Sequence, residues 1–571
     1  MALQRRGHGA SAAADVRRRS CAAPGRADSV RDRPRAARVR RKVNNSRFKL
    51  PTGRIEQGFR TSKPPYSDAQ ARAEARRCVY CHDAPCTKAC PAGVDVPGFI
   101  RKITTGNLKG AARTIFQANV LGYSCGRVCP VEALCEGACV LKLAPDPPVA
   151  IGRLQRYATE RYVGTQAGTD MLGAPGTKHT GRRVALVGAG PASLACASHL
   201  ASRGHEAVIF EKRSLPGGLN MSGVAPDKLH AEDALAEAEW VLASGIELHT
   251  GVEVGKDLSW ERLLADYDAV FLGVGLAGDR RLGIPGEEGP GVFGAVQTIE
   301  RLKLDPTFRP ASLFPGSPGG DARLGAESQP ASRGERGWGG ESGPGGESSS
   351  GGESGSGGER VGAGSAREFS EAGVVVIGGG NTATDVARQL ALLGFGDVTI
   401  LYRRSERERP GYAHELELAR LAGVRFIENV VPVRVLRRLE VGPGNAAARG
   451  DRKGGVGVAG GPTDAGDSAG QLRGLLVADA EKARAIPGTE REFPAGAVFV
   501  AVGQAGVPDL IAGCPGVESG LGGRVKADEK TGRTGNPRIF AAGDCVNGGK
   551  EVVSAVADGR RAAVAIDEML R

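Results

Sequence analysis

The chain has 571 residues, which is room for about three domains with sizeable cores. Its formal net charge is +12, but residues 1–50 alone carry 15 Lys and Arg against 3 Asp, so the rest of the chain is balanced. This balance argues against a surface that binds nucleic acid, and the lack of any apolar run near ~18 residues argues against a membrane span.

The first segment in chain order, residues 1–50, is rich in Arg and Ala and poor in acids. This composition predicts a disordered basic tail, with a transit peptide as the alternative. The segment lacks the apolar stretch of a secretory signal. We therefore expect a cytoplasmic protein.

A dense group of cysteines lies in a predicted helical domain over residues 51–165. A short predicted helix over residues 65–77 leads into it, and eight of the chain's 12 Cys fall between Cys78 and Cys139. The spacing is Cys78-x2-Cys81-x4-Cys86-x3-Cys90-Pro, followed later by Cys125-x3-Cys129-Pro-x4-Cys135-x3-Cys139. Soft thiolates this close in sequence suit iron, and eight of them match the ligand number of two [4Fe–4S] clusters.

Zinc is the main alternative for this group of cysteines. Zinc sites favour paired C-x2-C spacings, and only Cys78 and Cys81 have that spacing here. A disulfide framework is disfavoured, because such crowding in a large chain without a secretory signal points to metal. The spacing therefore favours iron–sulfur clusters.

The first nucleotide-binding pattern follows a buried parallel strand predicted over residues 182–188. Gly188-Ala-Gly190-Pro-Ala-Ser193 opens a predicted helix over residues 192–203, and Glu211 ends the next strand. Glycines allow a tight turn close to a pyrophosphate, the helix N-terminus receives its charge, and the carboxylate takes ribose hydroxyls. An acid at that position favours a free 2′-hydroxyl, so this site suits FAD.

A second pattern of the same kind follows a predicted insertion. Residues 305–368 are dense in Gly, Ser and Glu and predict a low-complexity loop. A strand beginning at Gly373 then leads into Gly378-Gly-Gly380-Asn-Thr-Ala383 and a helix over residues 382–393. The next strand ends in Arg403 and Arg404, where the first site has an acid; arginines favour a 2′-phosphate, so this site suits NADP, with NAD left open.

The remaining chain completes the predicted fold. Residues 442–470 form a second Gly-rich insertion, and strands are predicted over residues 497–502 and 539–542, the last ending near Gly543-Asp544. Alternating strands and helices predict a doubly wound α/β architecture. The fold class is therefore α/β, with the helical iron–sulfur domain followed by two interleaved Rossmann-like domains. The FAD domain spans residues 180–300 and 495–571, and the NAD(P) domain spans residues 370–494.

Several stretches together resemble the flavoproteins with two dinucleotide domains that include the glutamate synthase small subunit and the N-terminal half of dihydropyrimidine dehydrogenase. The most similar group is the flavin-containing subunit of bacterial NAD-dependent dihydropyrimidine dehydrogenase. The resemblance rests on Cys78-Val-Tyr-Cys-His-Asp-Ala-Pro-Cys86, Gly122-Tyr-Ser-Cys-Gly-Arg-Val-Cys-Pro130, Ile151-Gly-Arg-Leu-Gln-Arg-Tyr157 and Phe271-Leu-Gly-Val-Gly-Leu276. It covers residues 55–300 and 370–571.

The resemblance also implies how the clusters are held. One [4Fe–4S] cluster would take Cys78, Cys81, Cys86 and Cys139. The other would take Cys90, Cys129, Cys135 and Gln155, which leaves Cys125 without iron, whereas spacing alone makes Cys125 a ligand. At the position of Gln155, dihydropyrimidine dehydrogenases have Gln and glutamate synthase small subunits have Glu. A neutral amide in place of a thiolate makes the site less negative, which should raise the potential of that cluster.

The same resemblance implies which residues contact the two nucleotides. The implied FAD contacts are Gly188, Ala189, Gly190, Pro191, Ala192, Glu211, Lys212, Gly218, Leu219, Lys228, Val254, Gly543, Asp544 and Val552. The implied NAD(P) contacts are Gly379, Gly380, Asn381, Thr382, Arg403, Arg404 and Gly503. The chain departs from the mammalian enzymes at Pro410, where they have a further basic residue, and this departure leaves NAD and NADP both open.

We expect no catalytic side-chain set, because the cofactors FAD, two [4Fe–4S] clusters and NAD(P)H carry the chemistry. The expected activity is hydride transfer from NAD(P)H to FAD and electron transfer through the clusters to a partner. The resemblance implies an FMN-containing catalytic subunit of the dihydropyrimidine dehydrogenase type, in a hetero-oligomer that reduces uracil or thymine. The alternatives are an electron-input subunit of glutamate synthase and a zinc-binding adaptor without catalytic activity.

Overall fold

The computed structural model describes residues 47–143, 146–172, 179–313, 373–438 and 470–571. Most of the predicted basic tail and most of both predicted insertions lie outside these ranges. The last residues of the tail segment are described: Arg47 donates to the carbonyl of Leu248 at 3.0 Å, and Phe48 packs against the core. Among the described residues, no helix is both long and apolar enough to cross a membrane.

The cysteine-bearing region is helical, as the sequence predicts. Ser67, Asp95 and Asn107 each cap the helix that follows them with a side-chain oxygen. Apolar residues at helical spacing, such as Phe99, Ile103 and Ile115, form its core. Its helices are α1 (Asp68–Ala75), α2 (Pro85–Lys88), α3 (Val96–Thr104), α4 (Leu108–Ala118), α5 (Gly122–Val128), α6 (Ile151–Thr159) and α7 (Gln166–Thr169).

The first Rossmann unit is a five-stranded parallel sheet with the order β14-β4-β1-β2-β3. Its strands are β1 (Arg183–Val187), β2 (Glu206–Glu211), β3 (Glu247–Thr250), β4 (Ala269–Leu272) and β14 (Ile539–Ala541). The helices around it are α8 (Pro191–Ser202), α9 (Leu219–Ser222), α10 (Ala231–Leu242), α11 (Trp260–Asp266), α16 (Asp544–Asn547) and α17 (Val552–Leu570). One strand of this sheet thus comes from the end of the chain, as the interleaved arrangement requires.

The second Rossmann unit is another five-stranded parallel sheet, with the order β5-β13-β6-β7-β8. Its strands are β5 (Val292–Gly294), β6 (Val374–Ile377), β7 (Val398–Tyr402), β8 (Arg425–Glu428) and β13 (Ala497–Val500). Its helices are α12 (Ala295–Leu304), α13 (Asn381–Leu392), α14 (Ala413–Leu421) and α15 (Pro508–Ala512). Both parallel sheets are buried, which explains the short continuous apolar runs in their sequences.

An antiparallel sheet adjoins the second Rossmann unit and was not predicted. It contains β9 (Val430–Arg438), β10 (Gln471–Glu481), β11 (Arg484–Ala485) and β12 (Arg491–Pro494), and β10 pairs with all three others. The predicted strands beginning at residues 182, 373, 497 and 539 are confirmed as β1, β6, β13 and β14. The doubly wound α/β fold class is therefore correct, with one further sheet.

Candidate cofactor sites

Four of the predicted cluster ligands share one pocket. Cys78, Cys81, Cys86 and Cys139 line a pocket of ≈370 Å³ whose other walls include apolar residues such as Ile100. Burial and then the neighbouring thiols raise the pKa of Cys78, and the same causes raise that of Cys86 to about 11. Thiolates gathered this way repel one another, and a bound iron cluster would relieve that repulsion.

A second group of thiols lies beside the first. The pKa of Cys129 is raised by a hydrogen bond with Cys125, by burial, and by the charges of Cys125, Cys135 and Cys90. The pKa of Cys135 is also raised, first by burial and then by Glu136 and Cys90. The eight cysteines therefore divide into two groups of four, and the division follows the one that the resemblance implies, with Cys125 added to the second group.

Gln155 contacts α5, the helix that carries Cys125. It lies on α6, and its amide nitrogen donates to the carbonyl oxygen of Gly122 at 2.7 Å. This hydrogen bond uses the donor end of the amide and leaves the oxygen as the end that could bind iron. A Cβ added to Gly126 would lie 2.8 Å from the backbone nitrogen of Arg156, so α5 and α6 touch backbone to backbone. The two candidates for a fourth ligand, Cys125 and Gln155, thus lie on two helices in contact.

Zinc is the alternative metal for these thiols, and it needs four ligands within about 2.3 Å of one point. Among the residues that the structure describes, no three His, Cys, Asp or Glu side chains converge closely enough to hold one metal ion. The choice of iron–sulfur clusters over zinc at this point rests on the spacing of the cysteines in the sequence.

The first dinucleotide turn has the geometry that the fingerprint predicts. Gly188 has φ +91°, and a Cβ there would lie 2.7 Å from the carbonyl oxygen of Gly273. At Gly190 a Cβ would meet nothing closer than 3.9 Å, and no side chain caps α8 at this residue. The turn thus leaves open space and uncapped helix amides, as a bound pyrophosphate requires.

Other predicted FAD residues gather around this turn. One carboxylate oxygen of Glu211 accepts from the backbone of Ala189 at 2.7 Å. A Cβ on Gly218 would lie 2.8 Å from the Cα of Gly190, and one on Gly543 would lie 3.0 Å from the Cβ of Ala192. Asp544 and Val552 begin α16 and α17 next to this contact, and Val254 is buried in the core behind β2. The structure thus brings together most of the predicted FAD contacts.

Lys228 instead faces the second Rossmann unit. Its ammonium group lies 2.5 Å from a carboxylate oxygen of Asp385 on α13 and 2.7 Å from one of Glu415 on α14. Its neighbour Asp227 makes the opposite pairing, accepting from Arg388 and from Gln389 of the same helix α13. Two adjacent residues of opposite sign therefore fix α13 against the first unit, and Lys228 remains a predicted FAD contact.

Removing one partner of this buried interface should destabilise the protein. In Arg388→Met, Asp227, which is 1% exposed, loses its cationic partner, and breaking a buried pair costs about 3–5 kcal/mol. We expect the apparent Tm to fall by about 5 °C in thermal unfolding. Lys526→Met is the matched control: its ion pair with Glu518 is exposed at 70% and 66%, and its Tm should change by about 1 °C or less. Equal effects of the two substitutions would contradict this assignment.

The second dinucleotide turn is formed in the same way. Gly378 has φ +148°, and a Cβ there would overlap the carbonyl oxygen of Ala501, which brings residues 501–503 beside the turn. Gly379 packs against the ring of Tyr402, and Gly380 has no atom within 4 Å of an added Cβ. Asn381 and Thr382 open α13. The open space at Gly380 corresponds to that at Gly190 in the first unit.

Arg403 and Arg404 leave the sheet at the end of β7 and are exposed. Among the described residues, neither is in a salt bridge. The nearby Arg409 behaves differently, because its buried guanidinium pairs with Glu428 at 2.8 Å and lies over the ring of Phe426. Arg403 and Arg404 are therefore available to bind an anion, whereas Arg409 already pairs with the carboxylate of Glu428.

The segment after Pro410 was missed from the sequence. Gly411 donates to the carbonyl of Gly379 at 3.2 Å, and the backbone of Tyr412 donates to the side chain of Asn381 at 2.9 Å. The hydroxyl of Tyr412 bonds Glu551, the residue before α17, and His414 contacts Glu132 in the cysteine-bearing region at 3.4 Å. This segment links the second turn to both other regions, and its sole sequence signal is a Pro-Gly turn.

Three stretches of the chain match family models of known proteins. Residues 54–167 match dihydropyrimidine dehydrogenase domain II, 4Fe-4S cluster. Residues 186–240 match an NAD(P)-binding Rossmann-like domain, and residues 474–559 match pyridine nucleotide-disulphide oxidoreductase. The expected oxidoreductase class, a 4Fe-4S domain and a Rossmann-like dinucleotide-binding domain are thus confirmed, whereas the assignment of FAD to the first turn and of NAD(P) to the second stays a prediction. The number of clusters, the individual ligands and the final substrate remain predictions.

Full-length relatives point to the same family. The chain is 34% identical to the glutamate synthase [NADPH] small chain of Escherichia coli, over 87% of this chain and 91% of the relative. It is 31% identical to the E. coli NAD-dependent dihydropyrimidine dehydrogenase subunit PreT, over 89% of this chain and 96% of the relative. Among solved structures, T. acidophilum thioredoxin reductase has a TM-score of 0.42 at 18% identity, over 68% of this chain and 99% of that one. The chain therefore belongs to the family that contains the glutamate synthase small chains and the PreT subunits of NAD-dependent dihydropyrimidine dehydrogenase.

Proposed function

We propose that the chain is the NAD(P)H-oxidising subunit of a dihydropyrimidine dehydrogenase, with FAD and two [4Fe–4S] clusters, and that its partner subunit reduces uracil or thymine. Identity to the two kinds of relative is nearly equal, 34% and 31%, so identity alone does not choose between them. Gln155 carries the choice. By the resemblance, it stands where glutamate synthase small subunits have Glu; its amide nitrogen donates to Gly122 on α5, and among the described residues its amide oxygen has no hydrogen bond.

The geometry of the two turns and the two thiol groups supports an assignment of residues to each cofactor. The turn from Gly188 to Ala192, with Glu211, would hold FAD, and the turn from Gly379 to Thr382 would hold NAD(P)H. The two thiol groups would hold the clusters. When bound, the flavin would convert a two-electron hydride into single electrons, and the clusters would carry those one at a time.

The chain's own contribution is to position these sites against one another. Tyr412 and His414 connect the second turn to the start of α17 and to the cysteine-bearing region. Asp227 and Lys228 fix α13 against the first Rossmann unit. Together these contacts join the three regions, and the pairs of Asp227 and Lys228 are buried. The fold itself therefore fixes the positions of the proposed cofactor sites relative to one another.

Arg403 and Arg404 should determine the choice of nicotinamide nucleotide. Both guanidinium groups can form hydrogen bonds to a 2′-phosphate, and because both are exposed to solvent their combined contribution should be about 1.5–3 kcal/mol. Replacing both with alanine should therefore raise the KM for NADPH by about 10- to 100-fold in a dye-reduction assay and leave the KM for NADH unchanged. Arg407→Ala, an exposed arginine in the next turn, is the control and should change neither. An equal loss with both nucleotides would show that these arginines do not recognise the 2′-phosphate.

The proposed function is tested by reconstitution with a partner. The chain is purified anaerobically with a candidate FMN-containing subunit, and uracil reduction is followed with NADH and with NADPH. We expect uracil reduction to require both chains. The single chain should reduce only artificial dyes. Full cofactor loading without uracil turnover would refute the pyrimidine assignment.

Glutamate synthase is the second candidate, because the chain is also 34% identical to the small chain of that enzyme. Co-purification with a large glutaminase-containing chain, and NADPH-dependent glutamate formation by that complex, would decide for it. Gln155→Glu supplies a matched variant, because it installs the residue of glutamate synthase small subunits without changing the side-chain length. If the pyrimidine assignment is correct, this variant should keep its iron and lose uracil-reducing activity, since an anionic ligand lowers the potential of the second cluster.

A further inference from the structure

Glu237 is a buried carboxylate that reaches from the first Rossmann unit into the cysteine-bearing region. It lies on α10 and is 1% exposed. It accepts from the backbone of Tyr123 at 2.8 Å, from the backbone of Ser124 at 3.1 Å, and from the hydroxyl of Ser124. A carboxylate with three donors in a buried site is firmly held. No pattern in the sequence marks this residue.

The residues that Glu237 holds belong to the second thiol group. Ser124 precedes Cys125, whose thiol contacts Cys129, and it lies in the first turn of α5. Gly122, at the start of the same helix, accepts the hydrogen bond from the amide of Gln155. One short helix thus connects Glu237 on one side with Gln155 on the other. A shift of Glu237 would move both the helix and the amide.

The charge of Glu237 also bears on the second thiol group. Its surroundings include the guanidinium of Arg127 and the carboxylate of Asp233, which pair at 3.2 Å. Burial raises the pKa of Glu237 to about 7, against the lowering effect of the donors from Ser124 and Tyr123 and of Arg127. Above that pH the group is an anion in a medium of low dielectric constant, where a charge acts strongly on its neighbours.

We propose that Glu237 is a positioning residue for the second cluster, which fixes α5 and Gln155 and lowers the cluster's reduction potential by its negative charge. The proposal rests on the proposed function in one respect, that Cys90, Cys129, Cys135 and Gln155 hold a cluster. Three thiolates and a neutral amide give that cluster one negative charge fewer than four thiolates. Glu237 restores a negative charge nearby, and so offsets part of the rise in potential that the amide causes.

The test is a potentiometric titration of the anaerobically purified chain, followed by electron paramagnetic resonance, at about pH 8.5, where a carboxyl with a pKa of about 7 is ionised. Glu237→Gln keeps the size and the acceptor oxygen and removes the charge. We expect its second cluster to be reduced about tenfold more readily, which for one electron is about 59 mV upward. Iron content and the spectrum of the first cluster should stay as in the wild type. Glu239→Gln, on the same helix but bonded to Phe48, is the control and should leave the potential unchanged.

An unchanged potential in Glu237→Gln with full iron content would overturn the proposal. If that variant does not fold, Ser124→Ala decides instead. It removes the hydroxyl donor that lowers the pKa of Glu237, so less of the carboxyl is ionised at pH 8.5 and the potential of the second cluster should move upward, as in Glu237→Gln; no change would again overturn the proposal. These measurements need neither uracil nor a partner. A failure of the uracil assay would therefore leave this proposal standing, and absence of the second cluster's signal in the wild type would contradict the proposed function itself.

Discussion

Cys129→Ser should remove about half of the iron and acid-labile sulfide from the purified chain, whereas Cys125→Ser should remove none. Cys125 lies on α5, Cys129 follows the last residue of that helix, and their thiols touch. They thus have neighbours in common, although Cys125 is buried and Cys129 is half-buried. They differ in the implied ligand set, in which Gln155 takes the fourth position of the second cluster and Cys125 stays free. A hydroxyl is a poor ligand for cluster iron, so loss of a true ligand should release the cluster.

The outcome separates the family's ligand set from the one that spacing favours. Iron loss in Cys125→Ser with full retention in Gln155→Ala would show that four thiols hold the second cluster. Cys86→Ser gives the matching measurement for the first cluster, because Cys86 lines the pocket with Cys78, Cys81 and Cys139. It should also lose about half of the iron, and the double variant with Cys129→Ser should lose nearly all of it. Stoichiometric zinc in the wild type would contradict the cluster assignment altogether.

The parts of the fold that were predictable are those with a local signature. Buried parallel strands have short apolar runs in their sequences, and both dinucleotide turns have glycines between a strand and a helix. The structure has β1 and β6 where those runs lie, and Gly188 and Gly378 have positive φ next to a strand from the same sheet. In each case, a few adjacent residues contain the whole signal.

The missed parts depend on partners that are far apart in the chain. The Gly-rich residues 442–470 lie between β9 and β10, so the two paired strands are separated by about thirty residues in the sequence. Glu237 meets Ser124, and Lys228 meets Asp385, across more than a hundred residues. A buried charge looks like any surface charge until its partner is known. For the same reason, spacing alone did not show that Cys139 joins Cys78 and Cys81.

Gly190→Ala should produce a folded chain that has lost its flavin, whereas Gly188→Ala should be unstable. Gly190 has φ −81° and ψ −178°, which any residue adopts, and an added Cβ would meet nothing closer than 3.9 Å. The fold therefore has no reason to reject a methyl group there. That open space is the place a pyrophosphate needs, next to the uncapped amides of α8. Loss of two charge-assisted hydrogen bonds would weaken FAD binding about 100-fold or more.

Alanine at Gly188, unlike alanine at Gly190, should destabilise the fold. Its φ of +91° and its distance of 2.7 Å from an added Cβ to the carbonyl of Gly273 make alanine strained and overlapping at once. Bound flavin is measured by fluorescence after denaturation, with the Tm and the iron content of the same samples. Gly380→Ala is the matched control in the second turn, with no atom within 4 Å of the new Cβ. It should keep both flavin and iron and lose reduction by NAD(P)H, because open space beside a helix N-terminus marks where a nucleotide binds. Full flavin in Gly190→Ala would mean that FAD does not approach the first turn.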